Sequence, residues 1–239
     1  MFNNLRRIFN QATGFDIVKW SGMHTDASCL YHALHKFKID CVIDVGANEG
    51  QFVDRLREIG YHDKVISFEP VTSAYSKLSQ KVLLDNKWSA VKIALGAQPE
   101  SKQINVSEFS AFSSLLETSE FAKLNWSSAR VANREMIDIS TLDVQSKLQH
   151  LDNYKNMLLK IDVQGYELEV LTGAKSLFDR VDCIYTEVSF RSAYSNAPSF
   201  SETLDFLAAI GFFPSSIYPV TRTKDLSMNE ADVLFVKRV

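Results

Sequence analysis

An α/β domain built on a mostly parallel sheet is predicted by three observations. At residues 41–59 a short apolar, β-branched run passes through a glycine turn into an amphipathic helical pattern. Further apolar strand-like runs at 64–70, 90–96, 157–161 and 183–188 alternate with helical periodicity, the pattern of repeated βα units. The chain then ends on two strand-like runs, 212–218 and 232–237, which suit an antiparallel pair closing the sheet. Together these give seven strands with helices on both faces.

The elements follow in order. In residues 1–22, Phe2, Leu5 and Phe9 fall near one helical face with Arg6 and Arg7 beside them. That pattern fits a membrane-surface or partner-docking helix, or an N-terminal helix packed on the domain. The short length and the few arginines favour packing. A second helix is predicted over 26–38, with Leu30, Ala33, Leu34 and Phe37 on one side.

The organising stretch is Cys41-Val-Ile-Asp-Val-Gly-Ala-Asn-Glu-Gly-Gln51. Val42, Ile43 and Val45 suit a strand covered on both faces. Gly46 and Gly50 remove Cβ atoms where the backbone must turn sharply or admit a ligand. From Gln51 onward, Phe52, Val53, Leu56 and Ile59 form a helical face that Gly60 ends. Three ligand classes use such a unit. A phosphate loop needs a Gly-Lys-Ser/Thr ending, which is missing. The dinucleotide fingerprint would put glycines where Asn48 and Gln51 stand, so it fails as well. Asp44 at the strand end would repel a pyrophosphate but suits a cation. The pattern Asp-x-Gly-x-Asn-x-Gly resembles the loop that binds S-adenosylmethionine, a sulfonium, in Rossmann-like methyltransferases.

A second strand, Lys64 to Phe68, ends at Glu69-Pro70. An acid about 20 residues beyond the glycine turn, at the end of the second strand, accepts hydrogen bonds from ribose hydroxyls in such folds, and Glu69 holds that place. After a helix through Ala74, Tyr75, Leu78 and Val82, Ala90–Gly96 reads as a third strand with Leu95 against an adenine ring. Residues 101–107 read as an added strand. Residues 108–140 mix Ser110, Ser113, Ser114, Ser119, Ser127 and Ser128 with Phe109, Phe112, Phe121 and Trp126, a composition that suits a substrate-covering lid. Arg130 and Arg134 are candidates for an anionic substrate.

Met157 to Ile161 is a central strand that ends on Asp162 and Gly165. Ligands in these folds sit outside the carboxyl ends of the strands at the switch point, so Asp44 and Asp162 should both face the crevice. Cys183 to Val188 repeats the design with Glu187. Ser199 and Glu202 form a capping box for a helix closed by Gly211. Tyr218, Arg222 and the loop between them are placed at the crevice rim. Asp162 is the first candidate general base and Glu187 the second. The pair could alternatively hold a divalent metal, which is the minority reading. The five histidines, His24, His32, His35, His62 and His150, fit no ligand spacing and are expected at the surface.

Composition narrows the function classes. The chain has 239 residues, 46% of them hydrophobic, enough for one α/β domain. A net charge of −3 is no footprint for nucleic acid. No run is long enough to span a bilayer, and no secretory signal pattern is seen. The odd, scattered cysteines Cys29, Cys41 and Cys183 lead to an expectation of reduced thiols in the cytoplasm.

Asp44–Gln51, Phe68-Glu69-Pro70, Ala94-Leu95-Gly96, Leu159-Lys-Ile-Asp-Val-Gln-Gly-Tyr-Glu167 and Thr186-Glu187-Val188 together resemble the FkbM family of methyltransferases, in order, over roughly residues 40 to 237. The resemblance implies a Rossmann-like class I methyltransferase fold and O-methylation with S-adenosylmethionine. The implied acceptors are hydroxyls of sugars, polysaccharides or secondary metabolites. On this chain it implies that Asp44, Gly46, Ala47, Asn48, Gly50 and Gln51 hold the methionine part, Glu69 the ribose, and Leu95 the adenine side. Most relatives carry Glu where Gln164 stands, with Gln a familiar variant, so no charged base or metal ligand is implied at 164. The expected organisation is a single domain: an N-terminal helical segment 1–40, a cofactor half 41–107, a lid 108–140 and a substrate half 141–239. Two other readings stay open: a nicotinamide oxidoreductase, and a non-catalytic domain docking to a glycosyltransferase or pairing with a second copy.

Overall fold

The computed structural model describes residues 6, 9, 11–14, 18–126 and 130–238. Phe2, Leu5 and Arg7 of the expected first helix, and Ser127 and Ser128 of the expected lid, lie outside the described residues.

The main sheet has seven strands, β1 (Cys41–Val45), β2 (Lys64–Phe68), β3 (Trp88–Val91), β7 (Met157–Ile161), β8 (Val181–Ser189), β9 (Phe212–Arg222) and β10 (Met228–Lys237), ordered β3-β2-β1-β7-β8-β10-β9. The first five in space are parallel, and β10 runs antiparallel to both β8 and β9. A second sheet holds β4 (Ala94–Leu95), β5 (Glu100–Ser107) and β6 (Val131–Ser140) in the order β4-β6-β5.

Helices cover both faces of the main sheet. α1 (Asp26–Lys36), α2 (Gln51–Glu58) and α3 (Thr72–Val82) pack one face, with Leu30, Val53, Leu56 and Leu78 against Val42, Val65 and Leu158. Thr25 and Ser28 make a reciprocal capping box at the start of α1. α4 (Glu120–Asn125) lies apart, in a small cluster with Ala193 and Tyr194. α5 (Leu142–Leu148), α6 (Glu167–Thr172) and α7 (Phe200–Ala209) cover the other face, where Leu142, Val170 and Leu207 meet Ile43, Leu159 and Phe235. Period-two alternation divides each strand between the faces. It puts Asp44 and Lys160, which are register partners, on the α1–α3 side.

Two elements differ from expectation. Ala90–Gly96 is not one strand: Ile93 N donates to Val91 O, a tight reversal that ends β3, and Ala94–Leu95 joins β6 in the second sheet. Residues 131–140 are a ten-residue strand paired along most of β5, not part of a covering segment. Only the end of that strand is buried, at Ile137, Ile139 and Ser140, so its apolar alternation is too short to read in the sequence.

Candidate active site

A cavity of about 450 Å³ opens at the carboxyl ends of β1, β2, β7 and β8, the switch point of the sheet. One half is made by the loop after β1. Gly46 N and Ala47 N both donate to Phe68 O, 3.0 and 3.1 Å away, which ties the loop to β2. Gly46 has φ +74°, and a Cβ there would lie 1.9 Å from the carbonyl oxygen of Asp162, so glycine is required. Gly46, Ala47, Asn48 and Gln51 line the cavity. Gly50 does not: at φ +88°, its place for a Cβ is filled by the Trp88 ring, 2.5 Å away, so its role is packing the turn.

Glu69 lines the cavity and is 6% exposed. Its two carboxylate oxygens each accept one backbone N–H, from Asn48 and from Val71, both at 2.8 Å. Each oxygen keeps a further lone pair. Burial pushes its pKa up to about 7, against the pull of those two hydrogen bonds. Leu95 lies beside it on the cavity wall.

Asp44 does not line the cavity. It is fully buried, with Lys160 Nζ 3.0 Å from Oδ1 and the Ser67 hydroxyl donating to Oδ2 at 2.8 Å. The expected cationic partner of Asp44 is therefore a lysine of the same fold, placed opposite it by register. Lys160, only 5% exposed, was missed in the sequence because it sits alone in an apolar run. Its ammonium also donates to Gly46 O at 2.8 Å and lies 3.9 Å from Asp162 Oδ2. Burial opposes its charge, but Asp44 and Asp162 outweigh that and hold its pKa above the ordinary lysine value.

The other half is acidic. Asp162 and Glu187 both line the cavity, brought together by the ends of the adjacent strands β7 and β8. Gln164 Nε2 donates to Asp162 Oδ1 at 2.8 Å. The Glu187 carboxylate has no hydrogen-bond or ion-pair partner among the described residues, although its backbone carbonyl accepts from the Thr186 hydroxyl. Burial, then Asp162 and Glu230, drive its pKa well above the carboxylate range. Sequence reading missed Glu230 and Asp232, which β10 brings to the same wall, with Asp232 the register partner of Glu187. Burial raises the pKa of both. Glu230 accepts from the Thr221 hydroxyl, and Tyr185 donates to Asp232 or to Asp26, each 2.9 Å away. Arg55, the other cation on the wall, is ion-paired with Asp26. These residues converge from β8, β9, β10 and two helices, and only strand pairing across the sheet signals their meeting.

Several expected rim residues lie elsewhere. The Tyr218 hydroxyl lies 2.9 Å from Cys29 Sγ, and Arg222 bonds Leu226 O, whereas Val220 and Thr221 of the stretch expected between them do line the cavity. Arg134 is taken up by Asn105 and Glu117, and Arg130 is exposed outside the cavity. Of the expected covering residues, Ser110, Phe112 and Ser113 line the cavity, whereas Phe109, Phe121 and Trp126 do not. None of the five histidines lines it. Among the described residues, no group of three or more His, Cys, Asp or Glu side chains is arranged to hold a metal ion, and no helix is long and apolar enough to cross a membrane.

Comparison with known proteins agrees with this architecture. The crystal structure of a methyltransferase FkbM from Methylobacillus flagellatus KT superimposes with a TM-score of 0.54 at 14% identity, over 82% of this chain and 43% of that one. The chain thus spans less than half the length of that protein, and the likeness is one of fold. TehB from Haemophilus influenzae matches with a TM-score of 0.48 at 11% identity, over 98% of this chain and 67% of that one. Precorrin-6y C5,15-methyltransferase from Geobacter metallireducens GS-15 matches at 0.45 and 10% identity, over 87% and 86%. No curated protein matches the chain. The model of the methyltransferase FkbM domain matches residues 44–214, which reach from the buried aspartate of β1 into β9 and include the whole β7–β8 edge of the cavity, so the chain belongs to the FkbM methyltransferase family.

Proposed function

We propose that this chain transfers the methyl group of S-adenosylmethionine to a hydroxyl of a sugar, polysaccharide or secondary metabolite. The observation that carries this reading is one cavity with Glu69 in the ribose-binding place on one side and the paired carboxylates Asp162 and Glu187 on the other. The donor set fits the cofactor. Glu69 keeps free lone pairs for two hydroxyls, and the buried Asn48 Oδ1 in the glycine loop has no hydrogen-bond partner among the described residues. Leu95 and Ile93 give an apolar wall for a base. Carboxylates, rather than free cations, face the remaining space, which suits a sulfonium and argues against a pyrophosphate.

When bound, S-adenosylmethionine supplies an electrophilic methyl group and leaves as a neutral thioether. The chain's own work is then alignment and proton removal. Gly46, Ala47, Asn48 and Gln51 hold the methionine part and Glu69 the ribose. Asp162 takes the acceptor's hydroxyl proton as the oxygen bonds to carbon, with Glu187 as the second candidate. Lys160 positions both the loop and Asp162.

The test is transfer of labelled methyl from S-adenosylmethionine to a panel of mono- and oligosaccharides. Label is expected on a hydroxyl oxygen. Asp162→Asn is expected to lower turnover by roughly two to four orders of magnitude with cofactor affinity kept. Label on amino groups alone, or undiminished turnover in that variant, contradicts the reading.

A further inference from the structure

We propose that Gln164 is a positioning residue: its side-chain amide fixes the orientation of Asp162 and links that carboxylate to the segment covering the cavity. The inference rests on the reading of Asp162 as the base, and deepens it.

The turn after β7 is unusual in its backbone. Gln164 has φ +57° and Gly165 φ +98°, two left-handed residues in succession. A non-glycine residue holds such a conformation only where its surroundings over-determine it. Here they do. Gln164 Nε2 donates to Asp162 Oδ1 at 2.8 Å, Gln164 Oε1 accepts from the Tyr194 hydroxyl at 2.8 Å, and the backbone carbonyl of Gln164 accepts from the Ser114 hydroxyl at 2.6 Å. The amide can face only one way, because a carboxylate needs its N–H end and a phenol hydroxyl donates to its carbonyl end. Glutamate cannot serve both neighbours unless it is protonated.

Two of these partners belong to the cover or touch it. Ser114 is bonded to Asn105 by two backbone hydrogen bonds, and it follows Phe112 and Ser113 on the cavity wall. The hydroxyl of Tyr194, a buried residue, also lies 3.1 Å from the carbonyl oxygen of Phe112. Gln164 is therefore the joint between the cover and Asp162. Oδ1 accepts the amide N–H, whereas Oδ2, 3.9 Å from Lys160, accepts no hydrogen bond among the described residues and is the more open of the two to a hydroxyl proton.

The test is the ¹³C-carboxyl NMR resonance of Asp162 in the whole 239-residue chain at one fixed pH, assigned with Asp162→Asn, combined with turnover kinetics and hydrogen exchange of amides 112–118. The charged groups around Asp162 are Lys160 on β7, Glu167 on α6, Glu187 on β8, and Glu230 and Asp232 on β10. They are common to all variants, so differences isolate Gln164. Gln164→Met removes the donor and is expected to move the Asp162 carboxyl resonance and to lower kcat by roughly tenfold with cofactor affinity kept. The isosteric Gln164→Glu, which offers Asp162 no N–H donor, is expected to move the same resonance, and carries the test if the methionine variant folds poorly. Both Gln164→Met and Tyr194→Phe are expected to speed exchange at 112–118 by roughly tenfold. An Asp162 carboxyl resonance unchanged in both Gln164 variants, or unchanged exchange, overturns the proposal. Undiminished turnover in Asp162→Asn would remove the base instead and leave these results as they stand.

Discussion

The two halves of the cavity are built in different ways. The half after β1 is one contiguous loop, fixed by backbone bonds to Phe68 and by Glu69 accepting from Asn48 and Val71. The half across from it is assembled from Asp162, Glu187, Glu230 and Asp232, which come from three strands and depend on sheet pairing. Lys160 joins them, touching Asp44 and Gly46 on one side and approaching Asp162 on the other. A contiguous, backbone-built site can be read along a sequence. A convergent, side-chain-built one cannot, because strand order decides who meets whom.

The largest effect is expected at the joint. Lys160→Met leaves Asp44 buried without its counter-charge and should cost about 3–5 kcal/mol of folding stability. Adding Asp44→Asn should restore most of that loss, as measured by denaturant unfolding of the single and double variants. If the single variant is as stable as wild type, the two halves are not coupled through this pair.

Within the contiguous half, Glu69→Ala should weaken S-adenosylmethionine binding by about ten- to a hundredfold, from lost charge-assisted bonds and a loosened loop. An unchanged dissociation constant would remove Glu69 from the ribose role.

The pH response distinguishes folding from binding. Glu69 and Glu167 titrate in the folded chain at about 7, against about 4.3 when unfolded. Protonated, they favour the fold. Their contribution is complete below the unfolded value and is lost as pH rises through about 7, so the unliganded protein should be less stable at pH 8 than at pH 6. Ribose hydroxyls favour the ionised form of Glu69, the one of the two that lines the cavity. Cofactor affinity should therefore rise over the same range, by up to about tenfold per pH unit for each proton displaced. Thermal melts and titrations across that range measure both, and parallel trends would refute the assignment.

The smallest effect belongs to a residue that sequence reading placed near the substrate. Arg134→Ala breaks an exposed pair with Glu117 and a hydrogen bond to the buried Asn105 Oδ1, and should cost about 1–2 kcal/mol of stability. Cofactor affinity should stay at the wild-type value. A measurable loss of binding would return Arg134 to the site.

These differences also explain what was legible. The glycine loop, Glu69, Leu95 and the acids ending β7 and β8 are all punctuation at the end of an apolar run, which one strand's sequence contains. Asp44 is punctuation too, but its partner Lys160 is fixed only by the register between β1 and β7. The split of Ala90–Gly96 depends on β6, whose buried face is too short to signal itself. Glu230 and Asp232 became visible only when β10 was seen to insert between β8 and β9.

The measurement that bears most directly on the account is calorimetric titration of the protein with S-adenosylmethionine and S-adenosylhomocysteine, with NAD as the control. The account predicts micromolar binding of both sulfur compounds and none of NAD. Binding of NAD, or of neither sulfur compound, would contradict it.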